Sequence, residues 1–477
     1  MPLLLLARDL AEDRAPLLSG LRWGGLAGLL FFGLLLRWLV PFGYVPWILL
    51  AAIQALSVGG FVAGMALWGS RRGQAVAAVV WWVALEVMRS AVPLGGFGWG
   101  LLGVTQHDGG LLLPTARVLG VYGVSALCAA LGAGLGAVAG AVSGPRGLRR
   151  RRLLTAGWGL AAVVVVAGVL ALVPAPPVTE RSIDIAGVQG QGLEASGAAG
   201  ANRVSTERIV RVAAQMVEAT RPLGDDPPEL TVWPENSLDA DVTDPANELV
   251  RAQLAAGLAL VDGGPMLVGG MLEGPRPGTL FNALMVVDGE GITPAYRKRQ
   301  PVPFGEYVPA REYLDWFPPL EQIPRDVLAS PDGAQVIDVA GARIGGVICF
   351  ENAFPELVRS QVRAGADLLV VATNNASFGR TAMPSQHLAQ SQVRAVESGR
   401  HVLHAGVSGV SAFIDPTGAV RQRTDIFEAA VVRDELPLVE ADTVATRLGD
   451  APALTVLLLA ALGVGVLLRE ELTRTRR

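Results

Sequence analysis

Cysteine and histidine are scarce in this chain, and their scarcity limits the chemistry that it can perform. There are 2 cysteines and 4 histidines among 477 residues. Cys128 lies in an apolar segment, where a small packing role is the simplest interpretation, so Cys349 has no obvious disulfide partner. His387, His401 and His404 lack a recognised metal-ligand spacing, and we expect core or surface roles for them.

An excess of positive charge and a secretory signal are also missing. The formal net charge of -4 at pH 7 argues against a nucleic-acid partner. Residues 1–6 are too short and too poorly flanked to act as a signal peptide. Apolar sequence, by contrast, is abundant up to about residue 175, whereas residues 180–445 have the mixed charge of a soluble domain. The length and this contrast predict more than one domain.

Six apolar stretches reach the length of roughly 20 residues that a membrane-spanning helix needs. They cover residues 21–40, 46–68, 74–93, 113–142, 153–174 and 451–468. We therefore predict a membrane domain over residues 1–178, a second domain over residues 179–446, and a last span with a basic tail over residues 447–477.

Arginines between the spans predict their orientation, because short cytoplasmic loops are rich in Lys and Arg. Arg71 and Arg72 lie between the second and third spans. The loop between the fourth and fifth spans holds Arg146, Arg149, Arg150, Arg151 and Arg152. With both loops and the N-terminus in the cytoplasm, residues 179–446 are predicted to lie outside it, and the basic tail inside.

The second domain alternates strand-like and helix-like patterns. Strands are predicted at residues 182–188, 230–233, 266–270, 282–287, 291–296, 334–339, 343–349 and 368–373, with paired strands between 402 and 420. Helices are predicted at residues 204–220, 246–260, 354–364 and 385–398. Residues 288–290 and 340–342 are hairpin signals. The alternation predicts an α/β domain with helices packed on mixed sheets.

Cys349 stands where a strand-like apolar run, residues 344–349, gives way to polar residues. A cysteine at the end of a strand and just before a helix is a candidate nucleophile. Asn352 is a candidate N-cap of that helix, and Pro355 suits its first turn. We expect the helix N-terminus and nearby cations to lower the thiol pKa from its usual value of roughly 8.5. A buried structural cysteine explains the residue equally well.

Two other strand-like runs end in side chains that would complete a set for covalent catalysis. Glu235 follows one of them, either as a general base or as a solvated turn carboxylate. Lys298 follows the other, either beside the oxyanion of a tetrahedral intermediate or as one of three consecutive loop charges.

Two further features each have two interpretations. Residues 300–323 are rich in proline and aromatic residues, and they could contact lipid or cap the core with equal support. Glu86 and Arg89 are three residues apart in the third span, where ionisable groups are costly and usually paired or functional. A structural ion pair is slightly favoured there over a catalytic one.

Glu235, Lys298 and Cys349 resemble the triad of the nitrilase, or carbon-nitrogen hydrolase, superfamily. More specifically, residues 296–309, Tyr-Arg-Lys-Arg-Gln-Pro-Val-Pro-Phe-Gly-Glu-Tyr-Val-Pro, resemble the lysine loop of bacterial apolipoprotein N-acyltransferases. Cys349-Phe350-Glu351 is similar to the nucleophile motif of that family, and residues 84–89 are similar to one of its membrane-segment motifs. The resemblance extends from about residue 21 to the C-terminal span.

This resemblance implies an α-helical membrane bundle plus a nitrilase-like α-β-β-α sandwich, in the bacterial inner membrane with the sandwich extracytoplasmic. It implies that Glu235 is the general base, Lys298 the oxyanion stabiliser and Cys349 the nucleophile. Glu306 and Glu351 match accessory active-site positions. The implied reaction moves an acyl chain from a membrane phospholipid to Cys349 as a thioester, and then to the N-terminal α-amine of a lipid-modified apolipoprotein. Such a reaction requires no metal or soluble cofactor.

The chain also departs from the family pattern. The family usually has more spans before the catalytic domain, and the first two are not found here. A Gly/Ala-rich stretch, residues 194–202, replaces a tryptophan-containing segment, and residues 374–379 lack the tryptophan expected before Phe378-Gly379. These changes are expected to affect lid contacts and acyl selectivity.

Two rival functions are compatible with the sequence. A membrane-tethered amidase would use the same triad with water as acceptor, and a closed polar pocket would distinguish it. A catalytically silent membrane protein would use the outer domain for partner binding or assembly. The aromatic lysine loop and the spans favour a lipid substrate, and the presence of all three triad residues counts against a silent protein.

Overall fold

The computed structural model describes residues 1–69, 71–143, 146–192, 205–314, 316, 320 and 323–475. It divides into two compact units. The first unit comprises Met1–Pro174 with Leu448–Arg477, and the second comprises Ala175–Arg447.

The first unit is a bundle of helices. Its elements are α1 (Pro2–Leu10), α2 (Pro16–Leu35), α3 (Tyr44–Trp68), α4 (Gln74–Ala91), α5 (Ala116–Val142), α6 (Arg146–Ala171) and the C-terminal helix Ala451–Thr475. Within the described residues, 6 helical segments are long and apolar enough to cross a membrane. They correspond one to one with the six predicted spans, although their ends are displaced by a few residues.

Small residues bring α2 and α3 together. Gly20, Gly24 and Gly28 are buried at intervals of four residues, which places them on one face of α2. A Cβ atom at Gly24 would lie 2.7 Å from Cβ of Val62 and 2.9 Å from the carbonyl oxygen of Val58. A larger side chain there would therefore push the two helices apart, which is the usual reason for small residues at helix contacts in membranes.

Glu86 and Arg89 on α4 hold the segment that follows this helix. Arg89 donates from Nη1 to the carbonyl of Trp99 at 2.6 Å and from Nη2 to that of Gly100 at 2.9 Å. Glu86 Oε1 accepts from the backbone N–H of Leu102 at 2.8 Å. Both side chains have a structural role, and hydrogen bonds to backbone groups replace the direct ion pair that we expected between them.

The second unit contains two mixed β-sheets. The strands are β1 (Ser182–Gln189), β2 (Leu230–Leu238), β3 (Met266–Glu273), β4 (Thr279–Asp288), β5 (Gly291–Arg297), β6 (Asp326–Val327), β7 (Val336–Val339), β8 (Ala342–Ile348), β9 (Leu368–Thr373), β10 (Val402–Gly406), β11 (Ala412–Ile414), β12 (Val420–Arg421) and β13 (Ala430–Pro437). One sheet has the order β13-β1-β2-β3-β4-β5 with β6 beside β4, and the other has the order β12-β11-β10-β9-β8-β7. Both predicted hairpins, β4–β5 and β7–β8, are confirmed.

Four helices cover the outer faces of the sheets, namely α7 (Thr206–Thr220), α8 (Glu248–Leu260), α10 (Pro355–Arg363) and α11 (Met383–Ser398). Two short helices, α9 (Arg311–Leu314) and α12 (Val444–Leu448), are also present. Ser205 caps α7 by accepting from the N–H of Arg208 at 3.2 Å. The four longer helices were predicted within a few residues, although residue 204 of the first prediction and the Gly/Ala-rich stretch 194–202 lie outside the described residues.

Three apolar layers define the architecture of this unit. Buried side chains from both sheets, including Ile185, Leu284, Ile348 and Leu403, pack against each other between the sheets. A second cluster lies between α7, α8 and the first sheet, and a third lies between α10, α11 and the second sheet. The order helix, sheet, sheet, helix is the α-β-β-α sandwich that the resemblance implied.

Candidate active site

The candidate triad is carried by three strands, with Glu235 inside β2 and with Lys298 and Cys349 directly after β5 and β8. Strands β8 and β9 pair in parallel, with Ile348 opposite Ala372, so Cys349 and Thr373 follow side by side. The backbone N–H of Asn374, just after β9, donates to Glu235 Oε2 at 2.8 Å. This bond joins the second sheet to β2 of the first sheet, and it brings the predicted base close to the predicted nucleophile.

Glu235 is placed by an irregularity in β2. The strand does not end at Trp233 as predicted but continues to Leu238, with a shift in its register against β3 between these residues. Gly269 on β3 permits the close approach, because a Cβ atom there would lie 2.4 Å from the carbonyl oxygen of Pro234. The carboxylate of Glu235 is 3% exposed. It is therefore a buried group, and the alternative of a solvated turn carboxylate is wrong.

Lys298 lies between two carboxylates. Its Nζ is 3.2 Å from Glu235 Oε1 and 2.8 Å from Glu306 Oε1. Asn282 donates from Nδ2 to the same two oxygens at 2.7 and 3.1 Å. The side chain of Lys298 is only 1% exposed, so it is not one of several solvated loop charges. The predicted base, cation and accessory residue Glu306 thus form one buried cluster.

The charges in this cluster stabilise each other. Burial raises the pKa of Glu235, while the ammonium of Lys298 opposes that rise. Burial alone would lower the pKa of Lys298, but the carboxylates of Glu235 and Glu306 raise it above its usual value. Lys298 therefore remains a cation at neutral pH, beside a carboxylate that accepts a proton more readily than an exposed glutamate.

Cys349 is buried and has an unusual backbone conformation, with φ of 49°. It begins a 3-10 turn, Cys349–Ala353, rather than an α-helix. Burial raises the pKa of its thiol to about 12, with a further rise from the charge of Glu235, while Lys298 acts in the opposite direction. Our expectation of a lowered thiol pKa is wrong, because desolvation outweighs the nearby cation. The thiol needs a base to become a nucleophile.

Asn352 does not cap the following helix. The N-cap of α10 is Phe354, whereas Pro355 is in the first turn as predicted. The side chain of Asn352 points to α11 instead, where Nδ2 donates to Ser391 Oγ at 2.9 Å. The predicted N-cap is therefore wrong, and Asn352 joins the nucleophile turn to a helix that is distant in the sequence.

Glu351 joins the nucleophile turn to the lysine loop. Its Oε2 accepts from the N–H of Ile348 at 2.8 Å, and its Oε1 accepts from the N–H of Arg299 at 2.6 Å. The hydroxyl of Tyr296 lies 2.9 Å from both oxygens. The backbone on either side of the candidate site, at Arg299 and at Ile348, is thus hydrogen-bonded to the same buried carboxylate.

The lysine loop combines buried and exposed parts. Glu306 Oε2 accepts from the N–H of Val302 at 2.7 Å, which folds residues 302–306 into a tight turn. Val308 and Ile323 are buried, whereas Phe304, Tyr313 and Trp316 are 49%, 72% and 76% exposed. The loop therefore caps the core with some residues and presents large aromatic side chains to its surroundings with others. Residues 315, 317–319 and 321–322 lie outside the described ranges.

The sequence reasoning missed several residues that surround the triad. They are Asn282, Tyr296, Thr373, Asn374 and His387, and only their distant partners reveal their roles. One signal was visible in the sequence, because Lys298 is the single lysine of the chain, whose other side-chain cations are arginines. Arginine cannot replace the compact ammonium in a buried site of this size.

Three of the four histidines have core positions. His387, His401 and His404 are all buried, as one of our two expectations held. Among the described residues there is no group of three or more His, Cys, Asp and Glu side chains that could hold a metal ion.

Comparison with known families agrees with this architecture. Residues 186–445 match the model for carbon-nitrogen hydrolases, and residues 1–134 match the model for the N-terminal domain of apolipoprotein N-acyltransferases. The sandwich and these matches thus place the chain in the carbon-nitrogen hydrolase superfamily, with a bundle of apolar helices in the same chain.

Curated relatives identify the family to which the chain belongs within this superfamily. An apolipoprotein N-acyltransferase of Geobacter metallireducens is 30% identical over 457 residues, covering 90% of this chain and 83% of the relative. One of Caulobacter vibrioides is 29% identical over 485 residues, covering 95% and 87%. The chain belongs to the apolipoprotein N-acyltransferase family, whose function is acyl transfer to lipoproteins. The predicted family and fold class are confirmed.

Solved structures with similarity to this chain include a mutant of the Nesterenkonia AN1 amidase from the nitrilase superfamily. It is 17% identical, with a TM-score of 0.40, and the match covers 57% of this chain and 95% of the amidase. A further structure of an amidase from Nesterenkonia is 18% identical with a TM-score of 0.38, covering 55% of this chain and 94% of that one.

Proposed function

We propose that Cys349, Glu235 and Lys298 are the catalytic residues of a two-step acyl transfer. The donor is a membrane phospholipid, and the acceptor is the N-terminal α-amine of a lipid-modified apolipoprotein. The observation that carries this proposal is the position of Lys298 Nζ, buried 3.2 Å from Glu235 Oε1. The other oxygen of Glu235 accepts from the N–H of Asn374, which follows β9 beside the end of β8 where Cys349 lies. A nucleophile, a base and a fixed cation in one desolvated site are the parts that acyl transfer needs.

In the first step, Glu235 accepts the proton of the Cys349 thiol, and Sγ attacks the carbonyl carbon of a phospholipid ester. The oxyanion that forms is stabilised by the ammonium of Lys298, which is already desolvated and therefore needs no reorganisation. The carbon–oxygen ester bond then breaks, and Glu235 returns its proton to the departing oxygen. The products are a lysophospholipid and a thioester on Cys349.

In the second step, the α-amine of the apolipoprotein attacks the thioester carbonyl and loses a proton to Glu235. The carbon–sulfur bond breaks, the amide is released, and the thiolate of Cys349 regains the proton. Glu235 suits both directions of proton transfer because burial raises its pKa toward the working pH. Its acceptance of the thiol proton matters because burial raises the pKa of Cys349 to about 12.

Two features support lipid substrates. Phe304, Tyr313 and Trp316 expose aromatic surface on the lysine loop, and exposed apolar groups of this size are typical of contact with lipid or protein. The six apolar helices would hold the chain in the membrane that contains both donor and acceptor. With the loops at Arg71 and Arg149–Arg152 in the cytoplasm, the catalytic domain is extracytoplasmic.

Mass spectrometry of the full-length protein tests the proposal. After incubation with phospholipid vesicles, wild type should gain the mass of one acyl chain on the peptide that contains Cys349. Cys349→Ala should gain none, and Cys128→Ala, the matched control, should be acylated like wild type. Addition of a diacylated lipopeptide with a free N-terminal cysteine should remove the label as an amide. A folded wild-type protein without acylated Cys349 would refute the proposal, and release of free fatty acid alone would favour the amidase-like hydrolase.

A further inference from the structure

Two buried residues next to Cys349, Thr373 and His387, do not belong to the proposed triad. Thr373 ends β9 and lies beside Cys349, because β8 and β9 pair in parallel with Ile348 opposite Ala372. His387 on α11 lies with Nε2 3.0 Å from the Cys349 carbonyl oxygen and Nδ1 3.3 Å from Thr373 Oγ1. His387 therefore bridges the two residues, and a hydrogen bond between the Thr373 hydroxyl and the Cys349 thiol would close a ring of three.

The chemistry of the partners fixes the proton positions in this ring. A carbonyl oxygen can only accept, so Nε2 of His387 carries the proton and Nδ1 of the neutral ring is an acceptor. Burial favours that neutral form, because it lowers the pKa of His387 to about 4. With the thiol protonated, Thr373 donates to His387 Nδ1 or to Asn375 Oδ1, which is also 3.3 Å away. The oxygen of Thr373 is then free to accept from the S–H group of Cys349.

Ionisation of the Cys349 thiol changes which acceptor the Thr373 hydroxyl donates to. A thiolate can only accept, and a hydrogen bond to a charged acceptor is stronger than one to a neutral acceptor. The single proton of Thr373 therefore moves from a neutral acceptor to Sγ by rotation of the hydroxyl.

His387 also fixes the backbone of the nucleophile. Cys349 has a φ of 49°, a conformation that residues with a side chain rarely adopt and that needs support from its surroundings. The Ile348 N–H before it is held by Glu351, and its own carbonyl is held by His387. The position of His387 is in turn fixed by Asn352, whose Nδ2 donates to the His387 carbonyl at 3.3 Å.

We propose that Thr373 is a further catalytic residue that donates a hydrogen bond to the Cys349 thiolate, and that His387 is a positioning residue that orients the Thr373 hydroxyl and the Cys349 carbonyl. The inference rests on the proposed role of Cys349 as the nucleophile. The charged groups that act on the thiol from other elements are Glu235, Lys298 and Glu306, while the ring of His387 binds the Cys349 carbonyl. Thr373 adds the uncharged donor.

The test compares two substitutions of Thr373 with a matched control. Thr373→Val keeps the shape and removes the hydroxyl, and Thr373→Ser keeps the hydroxyl. Thr231→Val is the control, because Thr231 is an equally buried threonine whose Oγ1 has no hydrogen-bond partner among the described residues. His387→Leu removes the donor and the acceptor of the imidazole, whereas His387→Gln keeps one donor and one acceptor.

Two rates are measured on the full-length protein in detergent. The first is single-turnover acylation of Cys349 at increasing concentrations of a defined phospholipid. The second is alkylation of Cys349 by iodoacetamide, which requires no lipid binding. Thr373→Val should lower the saturating acylation rate and the alkylation rate about tenfold, with an unchanged half-saturating lipid concentration. Thr373→Ser should recover most of both rates, and Thr231→Val should match wild type.

His387→Leu should lower the same two rates, and His387→Gln should recover a part of each. The inference is wrong if Thr373→Val reacts like wild type, or if Thr373→Ser is as slow as Thr373→Val at an equal melting temperature. An effect on half-saturation alone would also overturn it, because that would indicate a role in lipid binding. If wild-type Cys349 is never acylated but its alkylation depends on the Thr373 hydroxyl, the proposed function fails and the hydrogen-bond ring stands.

Discussion

Replacement of Lys298 by methionine removes the cation from the buried cluster while it keeps a side chain of similar length. Glu235 and Glu306 would then face each other without a positive charge between them. Loss of one partner from a buried ion pair costs about 3–5 kcal/mol of unfolding free energy, because the remaining charge stays desolvated. Glu306 is 17% exposed, so water can relieve part of the cost, and we expect the lower end of this range.

This cost corresponds to a large change in melting temperature. The catalytic unit spans Ala175–Arg447, and in domains of about this size 1 kcal/mol shifts the melting temperature by about 2–4 °C. A loss of about 3 kcal/mol therefore predicts that Lys298→Met melts about 6–12 °C below wild type at pH 8.

The difference should shrink in acid. Burial raises the pKa of Glu235 in the folded wild type, and loss of Lys298 raises it further above its unfolded value of about 4.3. A carboxyl group with a raised folded pKa destabilises the fold where it would be ionised and no longer does so once protonated. Stability of the variant therefore recovers as the pH falls through that raised pKa. Lys298 itself stays charged in wild type throughout this range.

Thermal unfolding of the full-length protein in detergent, followed by near-ultraviolet circular dichroism, measures both effects. Arg325→Met is the control, since it breaks an exposed ion pair with Glu273 and should cost less than about 1 kcal/mol. A melting difference for Lys298→Met below about 3 °C at pH 8 would contradict the reasoning. So would a difference that stays constant between pH 8 and pH 5.

Two further predictions concern the support and the orientation of the site. Tyr296→Phe removes a hydroxyl bound to both oxygens of Glu351, so we expect a loss of about 2 kcal/mol, or roughly 4–8 °C in melting temperature, with Cys349 still acylated. An unchanged melting temperature would show that this buried bond contributes nothing. A fluorescent protein that matures only in the cytoplasm, fused after Arg477, should fluoresce in a bacterial host. A dark fusion present at full length would contradict the predicted topology.

The features that were predictable from the sequence are those encoded locally. The apolar lengths gave the six helices, and alternating patterns with glycine-containing turns gave both hairpins. Cys349 and Lys298 were found because each stands where an apolar strand pattern stops. The resemblance of residues 296–309 to a known lysine loop indicated that Lys298 and Cys349 belong to one site. Their spacing in the sequence alone does not indicate this.

The failures concern properties that depend on distant parts of the chain. Asn352 has the sequence of an N-cap, yet its side chain binds Ser391 on α11. The thiol pKa of Cys349 was expected to fall, but burial by other elements raises it to about 12. The second strand was expected to end at Trp233, and a register shift against β3 lets β2 continue to Leu238. Local signals therefore pointed to Cys349, Glu235 and Lys298 as candidates, whereas burial and long-range contacts determine their protonation and orientation.

The single lysine also gives the chain one internal cleavage site for a lysine-specific endoprotease. Such an enzyme could cut only after Lys298, which would separate residues 1–298 from residues 299–477. Because Lys298 is buried between two carboxylates, the bond is protected while the active site is closed. Proteolysis of the unlabelled native protein would therefore report directly how often this one region opens, free of signals from the rest of the molecule.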